Sequence, residues 1–438
     1  MNMKSSINTI EEYDIRKHCH VNSNDVGDRF VGIKSDSNNI MVYFPIGYEL
    51  PKTDDEIRMD IKHLIQVLSE FTTKEDRLLA MNKYDKKQSV DFPINAFKTV
   101  IEYFLNENCK YYVETDKTYK KASAGKQDWA RTIRKNVPLV QYQSGVSSFI
   151  YTKFEVRAAS YNDKKLITQI NRFCVYEAFE RLGWLYFSYK PEKPEHYPDI
   201  KTSISIVHSK LCNTNDDKKR SLFQAMFDML NYIGEKVSDK QFYFGTDNFE
   251  HVWEKIIDKA FGEINKDKYF PRSRWLLDYG KYHEKRPLMP DTIMIYNNKY
   301  YVLDAKYYKY GCTGIPSHLP NASSINKQIT YGEYIEKYIG VDSNLLFNAF
   351  IMPFNKAKNC FKISDIVGNI GESVGDWRKN KKYYERIQGI VIDTRYIMYH
   401  YSGKMIKEKA ALAECIEKVI KRGCIPLSEN VPTPKYVE

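Results

Sequence analysis

The sequence predicts an α/β protein of mixed α+β character, with a mixed sheet flanked by helices in its C-terminal half and a separate α+β region before it. Three observations carry this. From about residue 240, short apolar and β-branched runs alternate with segments of helical periodicity. The 438 residues exceed one ordinary compact domain, and 42% of them are hydrophobic, enough to fill real cores. The first half is turn-rich, basic and aromatic, so a boundary is expected near residue 235, giving regions 1–235 and 236–438, with a further break near 160.

Taken in order, Ile40 to Pro45 is a strand candidate, and Pro51, Thr53, Asp54 and Asp55 announce a helix whose periodic part is Ile57 to Phe71. Between Tyr111 and Arg157, Lys117, Lys120, Lys121, Lys126, Arg131, Arg134 and Lys135 surround Tyr119 and Trp129. Cations interleaved with aromatics suit a surface that tracks phosphates, and a solvated loop has the same composition. Lys126, Trp129, Arg131, Arg134 and Lys135 are the candidate DNA contacts there. Helices are expected over 165–182 and 216–232, separated by the proline-bearing stretch 189–198. The C-terminal region then reads as helix 249–261, strands 291–296 and 299–306, helix 323–339, strands 345–352, 388–393 and 395–400, and a last helix 404–421.

Several function classes drop out. No long apolar run spans a membrane, and the first twenty residues lack the apolar centre of a signal peptide, so a cytoplasmic protein is expected. Eight scattered cysteines with no Cys-x-x-Cys pair fit free thiols in a reducing cytosol and offer no structural zinc site. His18-Cys-His20 is too close-spaced for a tetrahedral metal, and His208 with Cys212 lacks two further ligands. Ser147-Ser148 has no partnered histidine. The nearest approach to a phosphate-binding Walker loop, Gly27 to Lys34, has Ile33 where lysine must stand. The net charge of +11 favours anionic partners such as nucleic acid. Lys, Tyr, Asn and Ile also accumulate in AT-rich genomes, so charge alone decides little.

The chemistry concentrates in Met289 to Lys306, where Asn297-Asn298 separates two apolar runs and makes them a hairpin. Asp291 at the start of one strand and Asp304 at the end of the other then meet at the same end, and strand period two puts Asp304 and Lys306 on one face. A buried charge is costly unless it is paired or binds a cation. The set is therefore either a structural ion cluster or a site for a hard divalent cation such as Mg²⁺, held by Asp291, Asp304 and the carbonyl of Ala305. In the second case Lys306 stands beside the attacking water and offsets charge on a phosphate.

Pro290-Asp291 with Asp304-Ala305-Lys306 resembles the paired motif of the PD-(D/E)xK nuclease superfamily. Fragments of that spelling recur at Asp60-Ile-Lys62, Asp85-Lys-Lys87, Asp163-Lys-Lys165 and Pro198-Asp199-Ile-Lys201, but only the 291/304/306 set lies on adjacent strands after an apolar run. The resemblance implies a metal-reaching glutamate from the preceding helix, which points to Glu250 at the edge of the stripe Phe249, Val252, Trp253, Ile256, Ile257, Ala260 and Phe261. It also implies a Gln-x-x-Tyr element, which Gln328 and Tyr331 match, to position a phosphate or water, and this adds Tyr331 to the candidate DNA contacts. Read structurally, Glu250 is a solvated boundary residue and Gln328 caps a backbone group. Phe44-Pro-Ile-Gly-Tyr48, Gly125 to Ile133 and Phe249-Glu-His-Val-Trp-Glu254 extend the similarity to LlaJI-type restriction endonucleases, relatives of the McrC nuclease subunit. That implies a bacterial, Mg²⁺-dependent enzyme cutting double-stranded DNA at or near a short target, as a monomer or a homodimer, beside a companion methyltransferase. Some relatives cut only with a separate AAA+ motor, which this chain does not carry, and a DNA-binding protein without catalysis is the remaining alternative.

Overall fold

A computed structural model of the chain describes residues 14–21, 29–35, 40–78, 91–143, 145–162, 165–186, 191–235, 242–379 and 381–421. The fragments at Asp85 and Asp163, the start of the Gly27 segment and the first thirteen residues lie outside them. Two compact units result, Asp14–Asp91 with Gln241–Glu438, and Phe92–Lys240. The expected regions 1–235 and 236–438 differ from this in one respect: residues 14–91 group with the C-terminal half, because the strand Val31–Ser35 pairs with Phe242–Thr246, made after residue 240.

The first unit opens with β1 (Cys19–Val21), β2 (Val31–Ser35), β3 (Ile40–Phe44) and α1 (Asp54–Phe71). Thr53 and Glu56 close a capping box at the start of α1, as its sequence announces. The second unit follows as α2 (Ile94–Asn106), β4 (Glu114–Ala122), α3 (Trp129–Lys135), β5 (Leu139–Gln143), β6 (Val146–Ile150), β7 (Phe154–Asn162), α4 (Leu166–Leu182), α5 (Ile200–Cys212) and α6 (Asp217–Gly234). The chain then returns to the first unit with β8 (Phe242–Thr246), α7 (Phe249–Phe261), β9 (Arg274–Leu276), β10 (Tyr282–Glu284), β11 (Thr292–Tyr296), β12 (Lys299–Ala305), α8 (Ala322–Tyr334), β13 (Leu346–Phe354), β14 (Val367–Val374), β15 (Arg386–Asp393), α9 (Thr394–His400) and α10 (Ile406–Lys421).

In the second unit, α2, α4 and α6 bury their apolar faces, and β4 pairs with β7 in an antiparallel ribbon while β5 and β6 form their own hairpin. The helices α2 and α5 are absent from the sequence reading. For α5 the reason is the Pro198-Asp199 start: Asp199 is the N-cap, accepting from the Thr202 N–H at 2.8 Å. That assignment also disposes of one decoy carboxylate.

The first unit carries a four-stranded sheet, order β1-β3-β2-β8, and a five-stranded sheet, order β11-β12-β13-β15-β14. Asn297 and Asn298, at φ 49° and 59°, both adopt the left-handed turn conformation that lets β11 and β12 pair antiparallel. The parallel step from β12 to β13 requires a crossover, which α8 supplies. All nine residues of β13 are buried, as a central strand covered on both faces demands. The stripe of α7 is buried as its spacing predicts, and its Trp253 Nε1 donates to the Ile351 carbonyl at 3.2 Å.

One expected strand is a helix. Residues 395–400 look extended because Tyr and Ile crowd a short segment, but Asp393 caps α9 by accepting from the Tyr396 N–H at 2.8 Å. Helical spacing then brings Arg395 and Tyr399 together onto the fully buried Asp60 of α1, with Arg395 bonding both carboxylate oxygens at 2.8 and 3.1 Å. This pairing explains a second decoy, since Asp60 is a structural anchor. Because Arg395 is itself partly exposed, water takes over some of its lost pairing, and Asp60→Ala is expected to cost about 2 kcal/mol. A urea midpoint unchanged from wild type would contradict that.

Candidate active site

The hairpin brings its charges to one end. Asp291 precedes β11 and its Oδ2 accepts from the backbone N–H of Ala305 at 2.9 Å, tying the two strand ends together. Lys306 Nζ lies 2.6 Å from Asp304 Oδ2, so the alternation expected for that strand holds. The Asp304 side chain is nearly sealed from water and that of Lys306 is one-fifth exposed, which leaves the lysine as the exposed end of the pair.

With both carboxyls ionised the cluster would carry an excess of negative charge, and the raised pKa of Asp291 is the response to it. Burial, then the charge of Asp304 and a hydrogen bond with it, then the charge of Glu254, push the Asp291 carboxyl up to about 8, while the Ala305 N–H opposes them. Burial pulls the Lys306 ammonium down, but Asp304 and Asp291 outweigh it and hold it above its ordinary value. One lysine therefore leaves the two carboxylates under-compensated. Among the described residues no group of three or more His, Cys, Asp or Glu gathers to hold a metal. A hard cation that takes one or two carboxylates, a carbonyl and non-protein oxygens fits this donor set, and it would take the place of the proton that Asp291 otherwise keeps.

The supporting residues stand differently from the sequence reading. Glu250 is exposed in the first turn of α7, and the helix carboxylate whose charge bears on Asp291 is Glu254, one turn later. Helical side chains lean toward the N-terminus, so the spot above the strand end is covered from farther along the helix than a wheel suggests. Gln328 is fully buried; its Nε2 donates to the Val302 carbonyl at 2.7 Å and its Oε1 has no partner. It secures β12 from below, which is the backbone-capping role that its structural reading gives it. Tyr331, expected among the DNA contacts, is buried, and its hydroxyl donates to the Met289 carbonyl at 3.1 Å, two residues before Asp291. Burial and the charges of Asp304 and Asp291 push that hydroxyl well above its usual range. Lys266, which no motif marks, donates to the Asp291 carbonyl at 2.6 Å and pairs with Asp258 at 2.6 Å.

The remaining candidate contacts belong to the second unit. Trp129 is half exposed, with its ring edge-on to Tyr151 and Phe154, and the Arg131 guanidinium lies 3.7 Å from the centre of the Tyr119 ring. Lys126, Arg134 and Lys135 are exposed. His208 and Cys212 are 3.9 Å apart on exposed α5 with no further ligand grouped there. Among the described residues, no helix is long and apolar enough to cross a membrane.

Comparison with known families supports a nuclease. Residues 30–369 match the family described as LlaJI restriction endonuclease, and the chain belongs to that family. No curated protein matches it. A solved structure, the half-complex from a tetradecameric assembly of Thermococcus gammatolerans McrB AAA+ hexamers with bound McrC, aligns at 14% identity over 89% of this chain and 83% of that one, with a TM-score of 0.36.

The sign of the carboxylate shift sets a pH dependence. A carboxyl whose folded pKa lies above its unfolded value, near 4, contributes stability that is present below that value and lost as pH rises through about 8. The metal-free protein is therefore expected to lose stability from pH 4 to 8, and Asp304→Asn to flatten that loss. Denaturant midpoints in EDTA across this range check it, and equal slopes for the two proteins would overturn it.

Proposed function

We propose that this chain is a type II-like restriction endonuclease that hydrolyses double-stranded DNA at or near a short target, with Mg²⁺, inside a restriction–modification system. The observation that carries the reading is the under-compensated Asp291–Asp304 pair beside Lys306 at the end of the β11–β12 hairpin. Family membership supplies the substrate class. In this reading Asp291, Asp304 and the Ala305 carbonyl hold the cation. The cation supplies polarisation of the scissile phosphate and a water of lowered pKa.

The chain's own residues then have definite tasks. Asp291 is kept in register by the Ala305 N–H and by Lys266 on its carbonyl, so the carboxylates do not drift apart as they charge. Lys306, held as an ammonium by its acidic neighbours, acts as a donor: it orients the attacking water and meets the charge that develops on the phosphate oxygens. The water oxygen forms the new bond to phosphorus as the bond to the leaving sugar oxygen breaks, with the proton that the water gives up passing to solvent and the sugar oxygen taking one from solvent. Gln328 and Tyr331 are positioning residues, one holding β12 and the other the segment entering β11. Recognition falls to the exposed cations and aromatics of the second unit, Lys126, Trp129, Arg131, Arg134 and Lys135.

Asp304→Ala and Lys306→Ala are each expected to lower Mg²⁺-dependent cleavage of unmodified phage DNA on the order of a hundredfold or more while duplex binding persists. Cutting at wild-type rate by both variants would sink the assignment. Running the assay with and without nucleotide separates a stand-alone enzyme from one that needs a motor partner. A finer expectation concerns α7: Glu254→Gln should shift the Mg²⁺ concentration needed for cleavage, whereas Glu250→Gln should not. The reverse pattern would return the role to Glu250.

A further inference from the structure

Immediately before Asp291 the chain makes an excursion that the core does not need. β9 and β10 pair antiparallel, Tyr282 with Leu276 and Glu284 with Arg274, and every residue of both strands is exposed. An isolated two-stranded hairpin is marginal in water, and one with neither face buried lacks the packing that normally sustains it. Its composition is equally unusual for a solvated loop. Trp275 is 60% exposed and Tyr282 is 69% exposed. Between Pro271 and Met289 stand five Lys or Arg against two acidic residues. Arg274 pairs with Glu284 at 3.1 Å, while Arg272, Lys281, Lys285 and Arg286 have no carboxylate at ion-pair distance among the described residues.

The base of this hairpin is fastened to the candidate active site. Leu288 N–H donates to the Pro271 carbonyl at 2.9 Å and Lys285 N–H to the Ser273 carbonyl at 3.1 Å, which closes the neck. Next along the chain come Met289, whose carbonyl Tyr331 holds, and Asp291, whose carbonyl Lys266 holds. The same bonds that fix the carboxylate fix the root of the arm. From neck to tip, about seven residues at ~3.3 Å each give a reach of roughly 20 Å, the span of about six phosphates along one strand of a duplex.

We propose that the hairpin 272–286 is a duplex-binding arm, in which Arg272, Lys281, Lys285 and Arg286 neutralise phosphates and Trp275 and Tyr282 lie against the sugar–base surface, so that DNA is gripped next to the bond that is cut. Double-stranded DNA is the occupant that the charge surplus and the direct chain link to Asp291 select, and the inference rests on the nuclease reading of that site. A protein interface would use the aromatics and tolerate the arginines, but four clustered cations with no carboxylate beside them suit a polyanion better.

The test uses the full chain carrying Asp304→Ala, so that binding is measured without cutting. Labelled duplex is titrated by fluorescence anisotropy through a NaCl series, for this protein and for a version that adds Arg272→Ala, Lys281→Ala, Lys285→Ala and Arg286→Ala. Every phosphate that no longer meets a cation lowers the salt slope of log affinity by about 0.9, so a fall of about 3.6 is expected for the four together with at least a tenfold weaker affinity at low salt. Trp275→Ala with Tyr282→Ala should weaken binding severalfold and leave the slope nearly unchanged, and Lys281→Glu alone serves if the multiple variant does not fold. Unchanged affinity and slope, or a wild-type chain that binds no duplex, overturns the arm and leaves the hairpin to a protein partner or to solvent. Weakened binding by the arm variants of a chain that never cleaves sinks the nuclease reading and keeps the arm; cleavage by wild type with normal binding by the arm variants does the opposite.

Discussion

Two carboxylates are held side by side, away from bulk water, by the hydrogen bond from the Ala305 N–H to Asp291. Everything around the hairpin serves that placement. The Asn297-Asn298 turn sets the register, Gln328 pins β12, Tyr331 and Lys266 pin the entry to β11, and Trp253 ties α7 to the neighbouring β13. Left alone, the pair retains a proton that an exposed aspartate would release. Such an arrangement is a poor way to stabilise a fold, because removing either acid would relieve repulsion. A bound cation, as proposed above, would relieve that repulsion.

The β11–β12 hairpin was legible in the sequence because its signals are local. A two-residue Asn turn, period-two strands and a 3.6-residue stripe on α7 each depend on neighbours within a dozen residues, and all three stand in the structure. Most of what failed depended on distance. The segment 395–400 starts on a single local signal, the Asp393 N-cap, which its crowded Tyr and Ile outweigh in the sequence, and Arg395 is then held by Asp60, 335 residues away. Glu250 and Glu254 are a turn apart, and choosing between them needs the lean of helical side chains and the position of the strand end beneath. Tyr331 looked like a DNA-facing residue, but its ring lies in the core and its hydroxyl meets the Met289 carbonyl in the segment entering β11.

The unit that carries the site is assembled from both ends of its sequence. β2 pairs with β8, Ile46 N–H donates to the Tyr307 hydroxyl at 2.7 Å, and the Thr394 hydroxyl donates to the Ile46 carbonyl at 2.9 Å. Gly47 sits at φ +75° where a Cβ would strike the backbone of Phe354 at 2.9 Å, so the early segment and the end of β13 approach as closely as glycine permits. Tyr307 directly follows Lys306, which places the early segment one residue from the candidate chemistry.

That closure has a consequence in time. A ribosome adding about 5–20 residues per second releases Asp60 roughly 20 to 70 seconds before Arg395, its partner 335 positions later. Late in that interval the strands bearing Asp291, Asp304 and Lys306 are already made, but α9, which clamps the early segment to them, is not. A nascent nuclease assembled in this order stays incomplete while it is still tethered to its messenger.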